Sequence, residues 1–314
     1  MGHDAGVISL RTGYALALAA CAMFALNGML ARIAIDGGFS AIDVAAVRIQ
    51  GAALLLLPFA VPGLRRVRRT MLRPILLYGV VGLVLSQGLY FQAVERIDIA
   101  LALVIVYSAP LLVAVYQRVA HGERLPGFAY VAMVLAVIGV AVAVGGGVGR
   151  VPLVGLAVAV AAAVAFATQI VLSARMPAGL PPVTRAWSAL AVAAAVWLVL
   201  VPPWSLPTAA FGAAVDLGGV GVTAPAGGAL LWIVVLGGAI PYVLLLAGSV
   251  RIGAGAMGVI EMTQPLIGAA AAWLVLGQAL SPLQVAGILL SVSCLVVVER
   301  SRLAMHRADV AEGP

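Results

Sequence analysis

Residues 263–280, TQPLIGAAAAWLVLGQAL, repeat an earlier stretch of the same chain. Laid over residues 108–125, SAPLLVAVYQRVAHGERL, they align without a gap. Both stretches carry a proline near the start of an apolar run and a glycine towards its end. The matched pairs are Pro110 with Pro265, Gly122 with Gly277, Glu123 with Gln278, and Leu125 with Leu280. The alignment predicts an internal repeat built on a proline-containing helix and the turn that follows it.

The composition of the chain places this repeat in a membrane. Of its 314 residues, 64% are hydrophobic and only 9% are charged. A soluble domain typically has about a quarter of its residues charged. The lipid bilayer is therefore the predicted solvent and partner of the chain. The net charge of +7 comes from arginines that lie mostly between apolar runs, so no nucleic-acid partner is expected.

Ten stretches are long and apolar enough to cross a bilayer as helices. A span needs about twenty mostly apolar residues to cross roughly 30 Å of hydrocarbon. The predicted spans are 12–34, 41–62, 72–94, 98–120, 127–147, 152–174, 182–202, 228–250, 254–276 and 282–299. Prolines and glycines interrupt the apolar connection 203–227, which favours a loop or a membrane-associated segment over an eleventh span.

The distribution of arginine predicts which side of the membrane each loop faces. With the N-terminus in the cytoplasm, the inner segments hold most of the arginines, including the cluster at 65–69. Cytoplasmic loops of membrane proteins carry such an excess of positive charge. An even number of spans returns the chain to the side on which it started. The prediction is a multi-pass protein of the cytoplasmic (inner) membrane with both termini in the cytoplasm.

Each half of the chain contains five predicted spans. Because five is an odd number, the second half enters the membrane upside down relative to the first. The predicted units are residues 1–148 and 149–300, followed by a cytoplasmic tail at 301–314. Inverted repeats are typical of secondary transporters, which bind substrate near the midplane where the repeats meet. The predicted fold is an all-α polytopic membrane protein, with ten transmembrane helices in two inverted five-helix repeats around a central cavity.

The repeated motif resembles the EamA-type family of the drug/metabolite transporter (DMT) superfamily. The resemblance rests on a proline-containing helix, a Gly-Glu-x-Leu-like turn and a small-residue helix, and it covers nearly the whole chain. The first turn is intact at residues 122–125, GERL, whereas the second has Gln278 at the glutamate position. The resemblance implies a ten-helix bundle with a central substrate cavity that exports metabolites, amino acids or drugs.

Two charged side chains lie well inside the predicted spans, Arg48 and Glu261. A charge near the bilayer centre costs about 2.5–3.5 kcal/mol on the insertion scale, so each is a functional candidate. Arg48 also fits the family pattern early in the second helix, and we interpret it as a structural charge paired with carbonyls or with Asp43 of its own helix. Glu123, at a helix end on the cytoplasmic side, is likewise interpreted as a structural cap or surface ion pair.

Glu261 has two interpretations. A dry membrane interior disfavours the charged form of a carboxyl group, and water restores it. A glutamate that alternates between these environments could couple transport to protons, which makes Glu261 the coupling candidate. The alternative is a permanently protonated glutamate that forms a hydrogen bond with a neighbouring helix.

Polar residues at membrane depth, together with the two kinks, predict the wall of the cavity. At about 1.5 Å per residue, those of the first half form an outer layer and those of the second half an inner layer. Each proline also frees a carbonyl that can face a cavity. The candidate residues are Asn27, Gln87, Tyr107, Ser108, Pro110, Gln169, Tyr242, Glu261, Gln264 and Pro265. Asn27 and Gln87 fit hydrogen bonding between helices equally well.

The predicted function is secondary active export of a small metabolite, amino acid or drug, with protons as candidate coupling ions. A facilitative exchanger or an uptake permease fits the same sequence. An intramembrane enzyme is disfavoured because no predicted span contains a histidine, and no catalytic residue, metal site or cofactor is predicted. A scaffold without transport would not require polar groups at two depths. The chain is expected to work as a monomer or a weak homodimer.

Overall fold

The protein is predominantly helical in a computed structural model. The structure describes residues 2–94, 96–97, 99–122, 125–144, 152–216, 223–276 and 281–311. Glu123 and Gln278, which match each other in the sequence repeat, lie outside the described residues.

Helices α1 to α7 make up the first half of the chain. A π-helical segment, Tyr78–Leu85, joins α3 to α4 without a turn. The helices are α1 Gly2–Asp36, α2 Ala41–Leu64, α3 Arg69–Leu77, α4 Ser86–Val94, α5 Ile99–Val106, α6 Ala109–His121 and α7 Gly127–Val144.

Helices α8 to α13 make up the second half. A second π-helical segment, Val235–Ala239, joins α10 to α11. The helices are α8 Leu153–Ala174, α9 Pro182–Leu200, α10 Ala226–Val234, α11 Ile240–Glu261, α12 Thr263–Leu276 and α13 Pro282–Ala311. The start of the predicted tail thus continues α13 as helix to Ala311, because its sequence, SRLAMHRADVA, contains good helix formers and no proline or glycine.

Seven helical stretches among the described residues are long and apolar enough to cross a membrane. They are Leu10–Asn27, Ala41–Leu64, Arg69–Ala93, Val104–His121, Leu153–Ala174, Pro182–Leu200 and Ala226–Glu261. Two shorter apolar helices, Gly127–Val142 and Pro282–Val298, fall at the predicted fifth and tenth spans. The chain is therefore a multi-pass helical membrane protein.

The stretch Ala226–Glu261 covers more than one predicted span. It contains 36 residues, which would extend about 54 Å if straight, well beyond the roughly 30 Å of hydrocarbon. Gly253 interrupts it with φ 78° and ψ 168°, a backbone geometry that favours glycine because glycine has no Cβ. The interruption falls between the predicted spans 228–250 and 254–276.

Both matched prolines follow a break in the helical path. The break between α5 and α6 precedes Pro110, and the break between α11 and α12 precedes Pro265. In each break a hydroxyl closes the turn: Ser108 Oγ and Thr263 Oγ1 each donate to the carbonyl three residues earlier, at 2.6 Å. Since proline has no N–H, Pro110 and Pro265 each leave the carbonyl four residues earlier without its helical donor. The expected kinks are present at both positions.

The connection 203–227 is a structured loop in its described part. It contains two short 3₁₀ turns, Pro203–Ser205 and Thr208–Gly212, and a two-stranded antiparallel hairpin. The strands are β1 Ala214–Asp216 and β2 Thr223–Pro225. The loop packs on the chain between α1 and α2, where the rings of Phe39 and Phe211 meet edge to face at 5.0 Å. No helix of membrane-crossing length occurs in the described residues of this connection.

Several close helix contacts occur twice, once in each half. Gly13 of α1 lies against Ile252 of α11, and Gly155 of α8 lies against Ile97 between α4 and α5. A Cβ at these glycines would come within 2.6 Å and 2.5 Å of the isoleucine Cγ2 atoms, respectively. Ile97 and Ile252 occupy matched positions in the sequence repeat, each directly after an arginine. The same packing arrangement therefore recurs with the roles of the two halves exchanged.

A second recurring contact lies deeper in the bundle. Gly237, in one π-helical segment, lies against the Asn27 side chain of α1. Gly82, in the other, lies against Gln169 of α8, where a Cβ would be 3.3 Å from Cγ. Gly82 and Gly237 occupy matched positions, so an amide side chain from each half packs on the π-helical segment of the opposite half. Both amide side chains line the cavity described below.

Candidate functional site

A cavity of about 250 Å³ lies among helices from both halves of the chain. Ligand pockets for drug-sized molecules are typically about 300–1,000 Å³, so this cavity suits a smaller molecule. Its polar lining residues are Asn27, Arg48, Ser86, Gln87, Tyr90, Tyr107, Gln169, Tyr242, Glu261 and Gln264. Its apolar lining residues are Phe24, Val106, Phe166 and Leu245.

The structure brings most of the predicted cavity residues together. Those that line the cavity are Asn27, Gln87, Tyr107, Gln169, Tyr242, Glu261 and Gln264. Ser108, Pro110 and Pro265 do not line it. Ser108 turns its hydroxyl to a backbone carbonyl, and Pro110 is buried against Gly258 of α11, because the kink positions neighbouring residues and not the proline ring at the cavity.

Several lining residues were not predicted from the sequence. Phe24 precedes Asn27 by three residues and Phe166 precedes Gln169 by three, a spacing that puts each pair on one helix face. Ser86 and Tyr90 flank the predicted Gln87 within one turn of α4. Helical spacing from the polar residues was therefore a usable signal for these positions. Val106 and Leu245, two further unpredicted lining residues, are aliphatic and carry no such mark in a chain this apolar.

Glu261 is the carboxyl group of the cavity. It ends α11, its side chain is only 2% exposed, and its Oε2 has no hydrogen-bond partner. The phenols of Tyr78, Tyr107 and Tyr242 lie within its electrostatic reach. Because Pro265 removes a helical donor, the backbone carbonyl of Glu261 also lacks its usual partner four residues on. The end of α11 therefore presents a carboxyl oxygen without a partner and a carbonyl without its usual helical donor.

Arg48, interpreted from the sequence as a structural charge, also lines the cavity. Its Nε and Nη2 are buried and have no hydrogen-bond partner. Asp43, the expected partner, caps α2 instead: its Oδ2 accepts from the Ser40 N–H at 2.9 Å, while the Ser40 hydroxyl accepts from the Asp43 N–H at 3.1 Å. The predicted pairing with Asp43 fails because a carboxylate in the first turn of a helix is better used by the free N–H groups there.

Amide side chains and phenols connect the remaining polar groups. The Ser86 hydroxyl lies 3.0 Å from Gln169 Oε1, linking α4 to α8. The Tyr107 hydroxyl donates to Gln264 Oε1 at 3.4 Å, linking the first break to α12. The Gln264 amide in turn lies 3.7 Å from the thiol sulfur of Cys21 in α1. These side chains hold the two halves together across the cavity.

Two aromatic pairs contribute to the wall of the cavity. Phe24 and Tyr242 meet edge to face with their ring centroids 5.1 Å apart, and Tyr107 and Phe166 meet edge to face at 6.1 Å. Each pair joins a phenylalanine of α1 or α8 to a tyrosine of the opposite half. Such pairs bury large apolar area while leaving the phenol free for a polar contact.

The chemistry of the lining residues is that of binding. Within the described residues, no group of three or more histidine, cysteine, aspartate or glutamate side chains could hold a metal ion. The cavity contains two charged side chains, neutral amides and hydroxyls, surrounded by apolar helices of membrane-crossing length. A polar cavity enclosed by such helices is typical of membrane transporters.

The comparison with known proteins agrees with this class. The sequence pattern of the EamA-like transporter family matches residues 11–145 and again residues 153–299. The chain therefore belongs to the EamA-like transporter family, within the drug/metabolite transporter superfamily.

Relatives and solved structures extend the comparison. The threonine/homoserine exporter RhtA of Escherichia coli (strain K12) is 28% identical over 243 residues, which are 77% of this chain and 76% of RhtA. RhtA of Escherichia coli O157:H7 matches with the same values. One protein crystal structure is similar over 93% of this chain and 98% of its own, with a TM-score of 0.68 and 21% identity. That likeness shows a shared fold.

Proposed function

We propose that the protein exports small metabolites, amino acids among them, across the cytoplasmic membrane as a secondary active transporter. The polar cavity of about 250 Å³ between the two halves carries this proposal. A similar protein, RhtA, is named an exporter of threonine and homoserine, which are molecules of a size that suits this cavity. Transport itself is not an enzymatic reaction, and nothing in the cavity is assigned to catalysis.

Alternating access between two inverted repeats is the proposed mechanism. Residues 1–148 and 149–300 would each contribute five of ten transmembrane helices, related by a two-fold axis in the membrane plane. The recurring contacts support this arrangement, because the contacts of Gly13 with Ile252 and of Gly237 with Asn27 each have a counterpart with the roles of the halves exchanged. Rocking of one repeat against the other would expose the cavity first to one side and then to the other.

The proposed orientation places both termini in the cytoplasm. The chain between α2 and α3 carries the exposed arginines Arg65, Arg66 and Arg68, and α3 begins with the exposed Arg69. The structured loop before α10 has none in residues 203–225. This asymmetry supports a cytoplasmic location for the first connection and an outer location for the second.

Glu261 is the proposed proton-coupling residue. Its buried carboxyl group would be protonated when the cavity is closed and would ionise when water enters. Exchange of this proton on opposite sides of the membrane would couple export of substrate to entry of a proton. A facilitative exchanger or uptake permease would use the same cavity without that dependence, so direction and coupling are tested together.

The test is transport by purified protein in proteoliposomes. Labelled amino acids and other small metabolites are offered with and without a pH gradient, and empty liposomes measure leakage. Gln87→Trp fills the cavity from α4, whereas Leu231→Trp places the same ring on an exposed face of α10, where the native leucine is 67% exposed. We expect the first variant to lose transport and the second to keep it.

The result that contradicts the proposal is equally specific. A folded wild-type protein that moves none of these compounds would exclude this transport function. Transport that is unchanged in Gln87→Trp would show that the substrate takes another route. Transport with no response to a pH gradient would favour the facilitative alternative.

A further inference from the structure

Arg48 differs from a second arginine that is built into the bundle. Arg185 of α9 is 4% exposed, and its Nε, Nη1 and Nη2 donate to backbone carbonyls at 2.8–3.0 Å. These carbonyls belong to Pro177, Leu246, Ala178 and Leu180. Arg185 thus has the partners that a structural arginine needs inside a membrane protein. Arg48 shows the opposite pattern, with two buried nitrogens that donate to nothing.

The protein holds Arg48 in place without neutralising it. The Arg48 stem packs on Gly238 of the second π-helical segment, where a Cβ would be 3.2 Å from the arginine Cγ and 2.9 Å from its carbonyl oxygen. Among the described residues, no carboxylate forms an ion pair with Arg48, and Asp43 is engaged in its capping box. Buried guanidinium nitrogens without partners are unfavourable unless another group satisfies them. An anion bound in the cavity would satisfy them.

The geometry of a guanidinium selects which anion fits. Its planar fork of N–H groups matches the two oxygens of a carboxylate and forms a pair of parallel hydrogen bonds. The two nitrogens of Arg48 without a partner are Nε and the terminal nitrogen Nη2. A carboxylate on a small substrate is therefore the group that completes this site.

A second residue of the cavity has an acceptor without a partner. Asn27 Oδ1 is buried, makes no hydrogen bond and packs on Gly237, the residue directly before the glycine that holds Arg48. Arg48 and Asn27 thus pack on consecutive glycines of one π-helical segment, and both line the same cavity. Irregular helical turns of this kind frequently occur at functional sites. An α-amino acid offers the complementary arrangement, a carboxylate and an ammonium group on one carbon atom.

We infer that Arg48 and Asn27 form a head-group site for an α-amino acid. Arg48 binds the carboxylate, and Asn27 Oδ1 accepts a hydrogen bond from the ammonium group. This assignment rests on the proposed transport function and specifies its substrate class. Tyr242 lines the same cavity as Arg48 and Glu261. In this assignment Glu261 is left for the substrate side chain and for protons.

The first test compares analogues of one substrate on the wild-type protein. The probes are neutral amino acids of the size of threonine, each with its methyl ester and with the matching acid that lacks the amino group. Binding is measured by titration of the purified protein, and transport by competition in proteoliposomes. We expect the affinity of each acid to exceed that of its ester by about tenfold or more, because the ester has no carboxylate charge to pair with Arg48. We expect the deamino acid to bind more weakly than the amino acid.

Matched variants assign these preferences to residues. Arg48→Met should reduce the preference for acid over ester to about one, whereas Arg48→Lys should keep part of it because the charge remains. Asn27→Leu should abolish the preference for the amino group, and Asn27→Asp should retain it. Arg251→Met is the control, since Arg251 is exposed and donates to the Ala247 carbonyl. It should leave both preferences unchanged.

The outcomes distinguish failure of the head-group site from failure of the proposed transport function. Equal binding of acid and ester to the wild-type protein overturns the head-group site, even if a variant fails to fold. Transport of metabolites that lack a carboxylate overturns it while the transport function stands. A preference for the acid that survives Arg48→Met also overturns it. A wild-type protein that transports nothing removes the proposed function itself.

Discussion

A single methyl group at Gly237 should displace Asn27 from the cavity. A Cβ at this position would come within 2.5 Å of Asn27 Cγ and closer still to Oδ1, whereas carbon atoms in contact normally lie about 3.5–4.0 Å apart. The asparagine side chain must then move by about 1 Å, or the helices must separate. Extra methyl groups in a packed interior cost about 1–3 kcal/mol. We expect Gly237→Ala to lose stability in that range and to bind substrate more weakly.

A double variant identifies the source of this cost. Asn27→Ala removes the atoms that the new methyl group would meet, so Gly237→Ala should destabilise the Asn27→Ala protein much less than the wild type. The difference between the two effects is the coupling energy of the pair. Gly88→Ala is the control, because a Cβ at Gly88 meets no atom within 4 Å. It should be neutral or slightly stabilising, since alanine is the better helix former.

Two measurements on the purified variants decide the matter. Thermal unfolding in detergent reports stability, and uptake by proteoliposomes reports transport. The double variant should recover stability without recovering transport, because it lacks Asn27 Oδ1. The reasoning is refuted if Gly237→Ala unfolds and transports like the wild-type protein, since α1 and the second π-helical segment would then not be in this close contact.

Three further predictions concern coupling, kinking and topology. Glu261→Gln keeps the shape of the side chain but cannot release a proton. This variant should therefore fold and bind substrate, yet lose the acceleration of transport by a pH gradient. Coupling to one proton is worth about 1.4 kcal/mol, or tenfold accumulation of substrate, per pH unit. Wild-type pH dependence in this variant would make the carboxyl group structural. Pro265→Ala restores a helical N–H and should slow transport in a protein that still inserts, whereas full activity at unchanged affinity would reduce the proline to packing. Single cysteines at Ala214 and Val67 should be labelled from outside and from inside, respectively, and labelling of both from one side would exclude the ten-span arrangement.

Local sequence was sufficient for the helical segments. Apolar length alone predicted the helices, because a membrane requires each span to satisfy its own backbone hydrogen bonds. The breaks before Pro110 and Pro265 were also predictable, since a missing N–H acts within one turn. Depth along a helix placed Asn27 in an outer polar layer and Gln169 and Glu261 in an inner one, and all three line the cavity.

Rotation of the helices about their axes was not predictable. In a soluble protein the polar face marks the outside of a helix, whereas in these helices leucine, valine and alanine face both lipid and the interior. The aliphatic lining residues Val106 and Leu245 therefore carried no signal. For the same reason, Pro110 was expected in the wall but is buried against Gly258.

The role of Arg48 shows most clearly what each level decided. The sequence by itself determined that a guanidinium lies within a span, where its charge needs a partner, and it suggested Asp43 as the nearest carboxylate. The Ser40–Asp43 capping box that engages this carboxylate is also a local pattern. Only the tertiary structure decided that Arg48 packs on a glycine nearly two hundred residues away and that two of its nitrogens have no partner. The physical reason is that hydropathy and helical periodicity act along the chain over a few residues. Whether a buried charge is satisfied depends on groups that folding brings in from other helices, and no local pattern records them.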